Sequence, residues 1–358
     1  MRVAYYTHSL QSCWNHGNAH FLRGVLRELV AAGHQVAAYE PAGSWSVQNL
    51  LADAGPDGLQ AWQKHYPELT ATVINPATAA EHAHDADLVL VHEWNEPALV
   101  QALGNARKHG GRFTLLFHDT HHRAVSDPAA IRRYDLSGYD GVLAFGQALT
   151  DIYRRWGWGD RVWTWHEAAD TRLFHPPDAE NARTGAVWVG NWGDGERTAE
   201  LEAFLLAPTQ AAGMPLDIYG VRYPDAARAM LARYGAHYRG WLPNPHAPPV
   251  FARHAVTIHV PRQFYVQALP GIPTIRVFEA LACGIPLISA PWPDAEHLFR
   301  PGDFLVAADG DAVGRHIASL RDTAFRDATV AQGLATIRAW HTCAHRVQEL
   351  LAIVGGLR

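Results

Sequence analysis

Residues 271–291 read Gly271-Ile-Pro-Thr-Ile-Arg-Val-Phe-Glu-Ala-Leu-Ala-Cys-Gly-Ile-Pro-Leu-Ile-Ser-Ala-Pro291. A loop opens the stretch. Residues from about Thr274 to Cys283 then have helical character, and Gly284 supplies the stop. The strand Pro286–Ser289 follows at once, so this is a helix feeding a buried strand of an α/β sheet. Phe278, Leu281 and Ala282 turn toward the core. Arg276 and Glu279 stand three residues apart and share one face of the helix near its start. A cation and a carboxylate beside a glycine-bearing loop, at the edge of a buried strand, suit a ligand that carries a ribose and a phosphate.

The same rhythm extends in both directions. Upstream, the sequence predicts strands at Ala186–Gly190, Leu216–Gly220, Tyr238–Trp241 and Val256–His259, with helices over Arg197–Leu206, Pro224–Tyr234 and Pro245–His254 between them. Downstream come Phe304–Val306, a helix over Asp311–Leu320 and two further helical segments. The first half has its own series. Val3–Tyr6, Gln35–Tyr39, Thr72–Asn75, Ala86–His92, Phe113–Phe117, Gly141–Phe145 and Arg161–Trp165 read as strands. Helices are expected over Asn18–Ala32, Pro97–His109, Pro128–Tyr134 and Gln147–Trp156, and residues 43–72 as helical but irregular. Ala86-Asp-Leu-Val-Leu-Val-His92 is nearly continuous in apolar residues, as parallel strands covered on both faces are. The expected fold class is α/β, with two Rossmann-like doubly wound domains facing across a cleft. The expected boundaries are 1–168 for the first domain, 169–182 for a linker around Phe174-His-Pro-Pro-Asp178, 183–335 for the second domain, and 336–358 for a C-terminal helix packing back towards the first.

Composition narrows the function. The 358 residues exceed one compact core, and 48% of them are hydrophobic, enough for two buried sheets. The net charge of −5 and a pI near 6.5 argue against a nucleic-acid partner. Cys13, Cys283 and Cys343 have neither paired nor CxxC spacing, which predicts free thiols in a reducing cytoplasm. The entry of Met1-Arg-Val-Ala-Tyr-Tyr directly into a strand predicts no signal peptide, and no apolar run is expected to span a bilayer. Lys64 and Lys108 are the only lysines. Arginine therefore supplies nearly all positive charge, and it is well suited to bidentate recognition of anions.

Four polar stretches carry candidate chemistry. Gly190-Asn-Trp-Gly-Asp-Gly-Glu-Arg197 joins a strand to a helix, so its amides can donate to a phosphate and Arg197 can add a charged contact. The spacing is neither GxGxxG nor a Walker loop, and a plain βα turn with a solvated arginine is the competing reading. His118-Asp-Thr-His-His122 ends a buried strand. His118 and Asp119 there could deprotonate a hydroxyl or steady a developing charge, and His121 could meet the substrate. Its three histidines lack a carboxylate at ligand spacing, so no metal is expected, and Asp119 could instead cap the next segment. His92-Glu-Trp-Asn-Glu96 ends a neighbouring strand, where Glu93 could bind acceptor hydroxyls or cap the helix after it. The loop Ser9–His20 brings Asn15, His16 and His20 to the end of the first strand, with Asn18 as an alternative N-cap. Arg276 and Glu279 could equally be an ordinary surface ion pair.

Pro270-Gly-Ile-Pro-Thr-Ile-Arg-Val-Phe-Glu-Ala-Leu-Ala-Cys-Gly-Ile-Pro-Leu resembles the GT-B glycosyltransferases, and more narrowly the bacterial group related to the spore-maturation protein CgeB, through the pattern R-x-F-E-x-L-A-C-G. The loop Val189–Arg197, the ending Trp340-His-Thr-Cys-Ala-His-Arg346, and Asn18–Leu29 with Gly33-His34 are similar to further parts of such enzymes. The resemblance implies a nucleotide-sugar donor, UDP-, GDP- or dTDP-linked, bound by the second domain, with the acceptor on the first. Glu279 would hold the ribose. Arg197 and amides around Gly190, Asn191 and Gly195 would hold the diphosphate, with help from Arg276. The base would lie near Tyr219, Gly220, Trp241 and Leu242. His118 or Asp119 would stand nearest the chemistry, and no metal or other cofactor would be required. Many retaining members carry E-x7-E, but the position eight before Glu279 is Gly271. Local backbone amides over Pro270–Thr274, the segment that holds Gly271, Ile272, Pro273 and Thr274, could contact the sugar hydroxyls instead. A nucleotide-sugar epimerase and an inactive nucleotide-sugar-binding scaffold are the alternative readings.

Overall fold

The computed structural model describes residues 1–178 and 182–357; the side chain of Ala61 and residues 179–181 of the expected linker lie outside the described residues. The chain divides into two compact units. Unit 1 comprises Met1–Glu167 together with Cys343–Arg358, and unit 2 comprises Ala168–Thr342.

Unit 1 holds seven strands: β1 (Arg2–Tyr6), β2 (Gln35–Pro41), β3 (Ala71–Ile74), β4 (Leu88–His92), β5 (Thr114–Asp119), β6 (Gly141–Ala144) and β7 (Val162–Thr164). All pair in parallel, in the order β3-β2-β1-β4-β5-β6-β7. Every residue of β4 and β5 is buried, which explains the apolar runs Leu88–Val91 and Leu115–Phe117 within them. The helix Ala19–Ala31 packs against the helix Cys343–Gly356, where Cys343 Sγ approaches Phe21 O at 3.9 Å. Trp165 anchors this region: its Nε1 donates to Arg346 O at 2.9 Å and its ring lies 5.4 Å from that of Phe21.

Unit 2 holds six strands: β8 (Ala186–Val189), β9 (Leu216–Tyr219), β10 (His237–Gly240), β11 (Val256–His259), β12 (Leu287–Ser289) and β13 (Leu305–Val306). They too are all parallel, in the order β10-β9-β8-β11-β12-β13. The helix Ile275–Ala282 buries Val277, Phe278, Leu281 and Ala282. Phe278 is fully buried, and truncating such a side chain to alanine costs about 3–5 kcal/mol.

Both sheets are doubly wound, as the sequence predicts. The departures are local. Residues 43–72 contain a helix, Trp45–His65, broken at Gly55 (φ 65°) before Pro56, and then β3. Short helices at Arg123–Ser126 and Gln263–Gln267 and a tight turn at Pro76–Ala83 lacked sequence signals strong enough to predict them. The helix expected over Arg197–Leu206 continues to Ala211 through a widened turn, Glu202–Leu206. Pro208 has no N–H to give to the preceding turn, so the widened turn takes up the missing bond.

Candidate functional site

In unit 2 the strand order reverses between β8 and β11, and ligands of such sheets bind outside the carboxyl ends of the strands at that point. The loop that leaves β8 there is held from several sides. Gly190 N–H donates to Tyr219 O at 2.8 Å, and Tyr223 OH donates to Gly190 O at 2.9 Å. A Cβ on Gly220 (φ 151°) would fall 2.0 Å from Gly190 O, so the loops after β8 and β9 touch backbone to backbone. Asn191 Oδ1 accepts from Val221 N at 2.9 Å. Arg197 reaches back across the loop: Nη1 donates to Val260 O (2.6 Å), Nη2 to Asn191 O (2.9 Å), and the guanidinium lies 5.2 Å over the Trp188 ring. Its Nε–H has no partner. Burial pushes Arg197 down to about 10, against the pull of Glu196, which leaves it charged at neutral pH. This is not a solvated arginine on a plain turn.

Arg262, absent from the sequence-based candidates, braces the same loop. Its Nε donates to Glu196 Oε1 and its Nη2 to Asp194 Oδ1, both at 2.6 Å. His259, at the end of β11, was also missed. It bonds Ser289 Oγ (2.9 Å) on β12 and Thr274 Oγ1 (3.0 Å) ahead of the helix Ile275–Ala282. Thr274 makes no side-chain cap; its hydroxyl instead ties the helix start to β11 and β12. Burial, with the charge of Arg197 adding to it, lowers His259 to about 3 and keeps it neutral.

Glu279 is fully buried and accepts from Arg276 Nη1, whose side chain is 24% exposed. An ordinary surface pair would leave both partners in water. Arg276 is thus one partner of a carboxylate that lies wholly out of water. Gly271 has φ 93°, and a Cβ there would lie 2.9 Å from Glu296 Cγ and 3.2 Å from its Oε1. The backbone disfavours a side chain at 271, and the side chain of Glu296 stands beside it. Ile272 and Pro273 are buried, and Trp292 Nε1 donates to Ile272 O at 3.0 Å. Tyr219, Trp241 and Leu242 are half-buried at the ends of β9 and β10, and Trp241 Nε1 is buried without a partner. Hydrogen bonds thus join Gly190 to Tyr219 and Arg197 to Asn191, with Gly220 held against Gly190 by close backbone approach, whereas Gly271 and Ile272 are bonded to Pro293 and Trp292.

Unit 1 places His118 and Asp119 at the end of β5, both fully buried. His118 Nδ1 bonds Tyr5 OH (2.9 Å), and its Nε2 has no partner. Asp119 accepts from Tyr153 OH (2.7 Å) and from His121 N (3.1 Å). Burial and then the charge of Glu93 push Asp119 up to about 7, the range of a working acid–base group. Glu93 is fully buried and does not cap the following helix, which starts after Glu96. Its carbonyl accepts from Arg123 and Tyr134, and Arg123 lies 4.0 Å over the Trp94 ring. His121 is half-buried, its ring 5.0 Å from that of Trp94. Asn15 is half-buried with φ 48°, His16 is buried, and His20 is fully buried in the first turn of its helix. Asn18 does not cap; its Nδ2 donates to Thr120 O (3.2 Å) and Oγ1 (2.8 Å). Sequence reasoning missed His8, His92, Thr120 and Arg123. The histidines were findable as residues closing or just following β1 and β4.

Residues 197–352 match the model of the Glycosyl transferase-like family. No curated protein sequence matches the chain. Among solved structures, it is similar to an alpha-glucosyltransferase in complex with UDP and a 13-mer DNA (10% identity, TM-score 0.73, 99% of each chain covered). It is also similar to HepE of Anabaena in complex with UDP and glucose (12%, 0.72, 99% of each chain), and to sucrose-phosphate synthase from Thermosynechococcus elongatus (15%, 0.65, covering 100% of this chain and 99% of that one). The fold is GT-B. The inference from net charge against a nucleic-acid partner is corrected by the first of these structures, a protein of this fold solved with DNA. A net charge sums the whole surface and does not describe the local field that meets a backbone phosphate. No helix among the described residues is long and apolar enough to cross a membrane.

Proposed function

We propose that the protein is a glycosyltransferase that moves a sugar from a nucleoside-diphosphate sugar, UDP-linked in the first instance, to an acceptor. The observation that carries this reading is the arginine-braced glycine loop at the switch point of unit 2, and the glycosyltransferase-like family model begins at its last residue, Arg197. Structures of the same fold bound to UDP support the choice of base.

In this reading Glu279 takes the ribose hydroxyls and exchanges part of its bond to Arg276 for them. Arg197 and the amides from Gly190 to Gly195 hold the diphosphate, with Arg276 assisting, and Tyr219, Gly220, Trp241 and Leu242 line the base. The backbone of Gly271, Ile272, Pro273 and Thr274 borders the sugar, and Glu296 supplies the carboxylate that position 271 lacks. As the anomeric C–O bond to the diphosphate breaks, charge grows on the leaving phosphate, and fixed cations and amides stabilise it without a metal bridge. Asp119, with His118 beside it, takes the acceptor proton. Asn15, His16, His20, Glu93 and His121 are assigned to acceptor contacts, and nucleic acid belongs among the acceptor classes. The R-x-F-E-x-L-A-C-G pattern supports an assignment to the CgeB-like group, and three buried free thiols fit a cytoplasmic setting.

A thermal-shift screen against UDP-, GDP- and dTDP-sugars tests the proposal. A true donor at about 100 times its Kd adds roughly 2.7 kcal/mol of stability. No stabilisation by any nucleotide sugar or nucleoside diphosphate would sink the reading.

A further inference from the structure

Three buried histidines in unit 1 have no role in the proposed donor chemistry. His8 lies two residues beyond β1, His16 farther along the same loop, and His92 closes β4. They converge because β1 and β4 are neighbours, with Tyr6 paired to Val91 where the strand order reverses. The His8 and His16 ring centroids are 4.2 Å apart, and that of His92 lies 6.0 and 5.9 Å from them. One nitrogen from each ring falls within 4.8 Å of the other two. His8 is 4% exposed, His16 5% and His92 0%. Both ring nitrogens of His8, both of His16 and Nδ1 of His92 are buried without hydrogen-bond partners.

The surroundings of His92 define its tautomer. Thr120 Oγ1 donates its one proton to Glu93 Oε1 (3.3 Å) and accepts from Asn18 Nδ2 (2.8 Å). With Thr120 committed in this way, its 2.9 Å bond to His92 Nε2 is met by the tautomer protonated on Nε2. The Glu93 carboxyl group also stands 2.9 Å from the same nitrogen. That tautomer leaves a bare lone pair on Nδ1. A ring oriented by a hydroxyl and a carboxylate through one nitrogen, with the other open, is the outer-shell arrangement of metal-binding histidines.

Imidazole nitrogens select zinc and its late first-row neighbours over magnesium or calcium, and metal–nitrogen bonds of about 2.0–2.1 Å would draw the three nitrogens closer together than the 4.8 Å that bounds them here.

We propose that His8, His16 and His92 form a binding site for one divalent transition-metal ion, held in register by Thr120 and Glu93. The site belongs to unit 1 and is independent of the diphosphate contacts assigned to unit 2. Three protein ligands leave a coordination position for an oxygen atom of water or of a bound molecule.

The test uses the full chain, stripped with a chelator and titrated with Zn²⁺, and with Co²⁺ as a spectroscopic probe. The expected result is one equivalent bound, with visible Co²⁺ absorption characteristic of low-coordinate nitrogen ligation. His8→Gln and His16→Gln keep the rough shape of the pocket and should each weaken binding by at least about 100-fold, whereas Thr120→Val should weaken it about 10-fold. Zn²⁺ should raise the thermal midpoint of the wild-type chain and not that of either glutamine variant, so a loss of binding is read against a folded protein. Binding below half an equivalent, or undiminished binding in both glutamine variants, would overturn the proposal.

Discussion

The two units repeat one topology and end it in opposite chemistry. At the switch point of unit 2, permanent cations are committed to the protein: Arg197 to Val260 and Asn191, Arg262 to Glu196 and Asp194, Arg276 to Glu279. At the switch point of unit 1, neutral imidazoles are packed together with several nitrogens bonded to nothing. Arginine stays charged through burial, so it can serve as fixed counter-charge for an anion. Histidine loses its proton on burial and becomes an electron-pair donor. Two similar sheets can therefore be specialised toward different ligands by the residue type that follows their strands.

The contrast can be broken at several points. The largest effect is expected at Asp119. Asp119→Asn should lower kcat by about 10²–10⁴ with donor Kd unchanged within twofold, and full activity would remove unit 1 from the chemistry. Next, Glu279→Ala should weaken UDP binding by about 100-fold in calorimetry, equivalent to roughly 2.7 kcal/mol; an unchanged Kd would refute the ribose role. Arg197→Ala should lower affinity for UDP about 10-fold or more while leaving uridine nearly untouched, since a charge-assisted bond contributes about 1.5–3 kcal/mol. Equal losses for both ligands would argue for a structural arginine only.

A smaller effect concerns His259. Its folded pKa of about 3 lies below the unfolded value of ~6.5, so the unfolded chain takes up a proton first as pH falls. Its contribution is retained above about pH 6.5 and lost toward pH 3, by up to ~1.4 kcal/mol per unit. In urea melts between pH 6 and 4, His259→Gln should reduce the pH slope by about one proton; an unchanged slope would show that His259 is charged in the fold. The smallest effect is an expected null. Chelator should leave UDP affinity unaltered, and a fall would mean that a metal bridges the diphosphate.

The strands were legible because parallel strands buried on both faces need apolar runs, and Leu88–His92 and Thr114–Asp119 have them. The glycine loop and the 271–291 stretch were legible for a related reason: their polar residues lie close together in sequence. What escaped was assembled across the sheet. Arg262 acts on a loop more than sixty residues away, His259 on both Ser289 and Thr274, and His8 meets His92 only because β1 and β4 are neighbours. No local periodicity encodes such contacts. The residue at or just past each strand end is the signal that remains, and applied evenly it would have named all three. The widened turn before Pro208 and the break before Pro56 escaped differently, since a proline announces a missing bond without saying how the chain absorbs it.

The helix Cys343–Gly356 packs with Ala19–Ala31, so unit 1 is discontinuous in sequence while unit 2 is an unbroken insertion within it. During synthesis, unit 2 can complete its sheet once Thr342 has emerged. Unit 1 must hold its first seven strands with the face around Phe21 and Trp165 uncovered until residues 343 onward arrive. Order of manufacture and order of completion are thereby inverted: the unit made first is finished last, and a fragment ending at Glu167 would be the less stable half of the molecule.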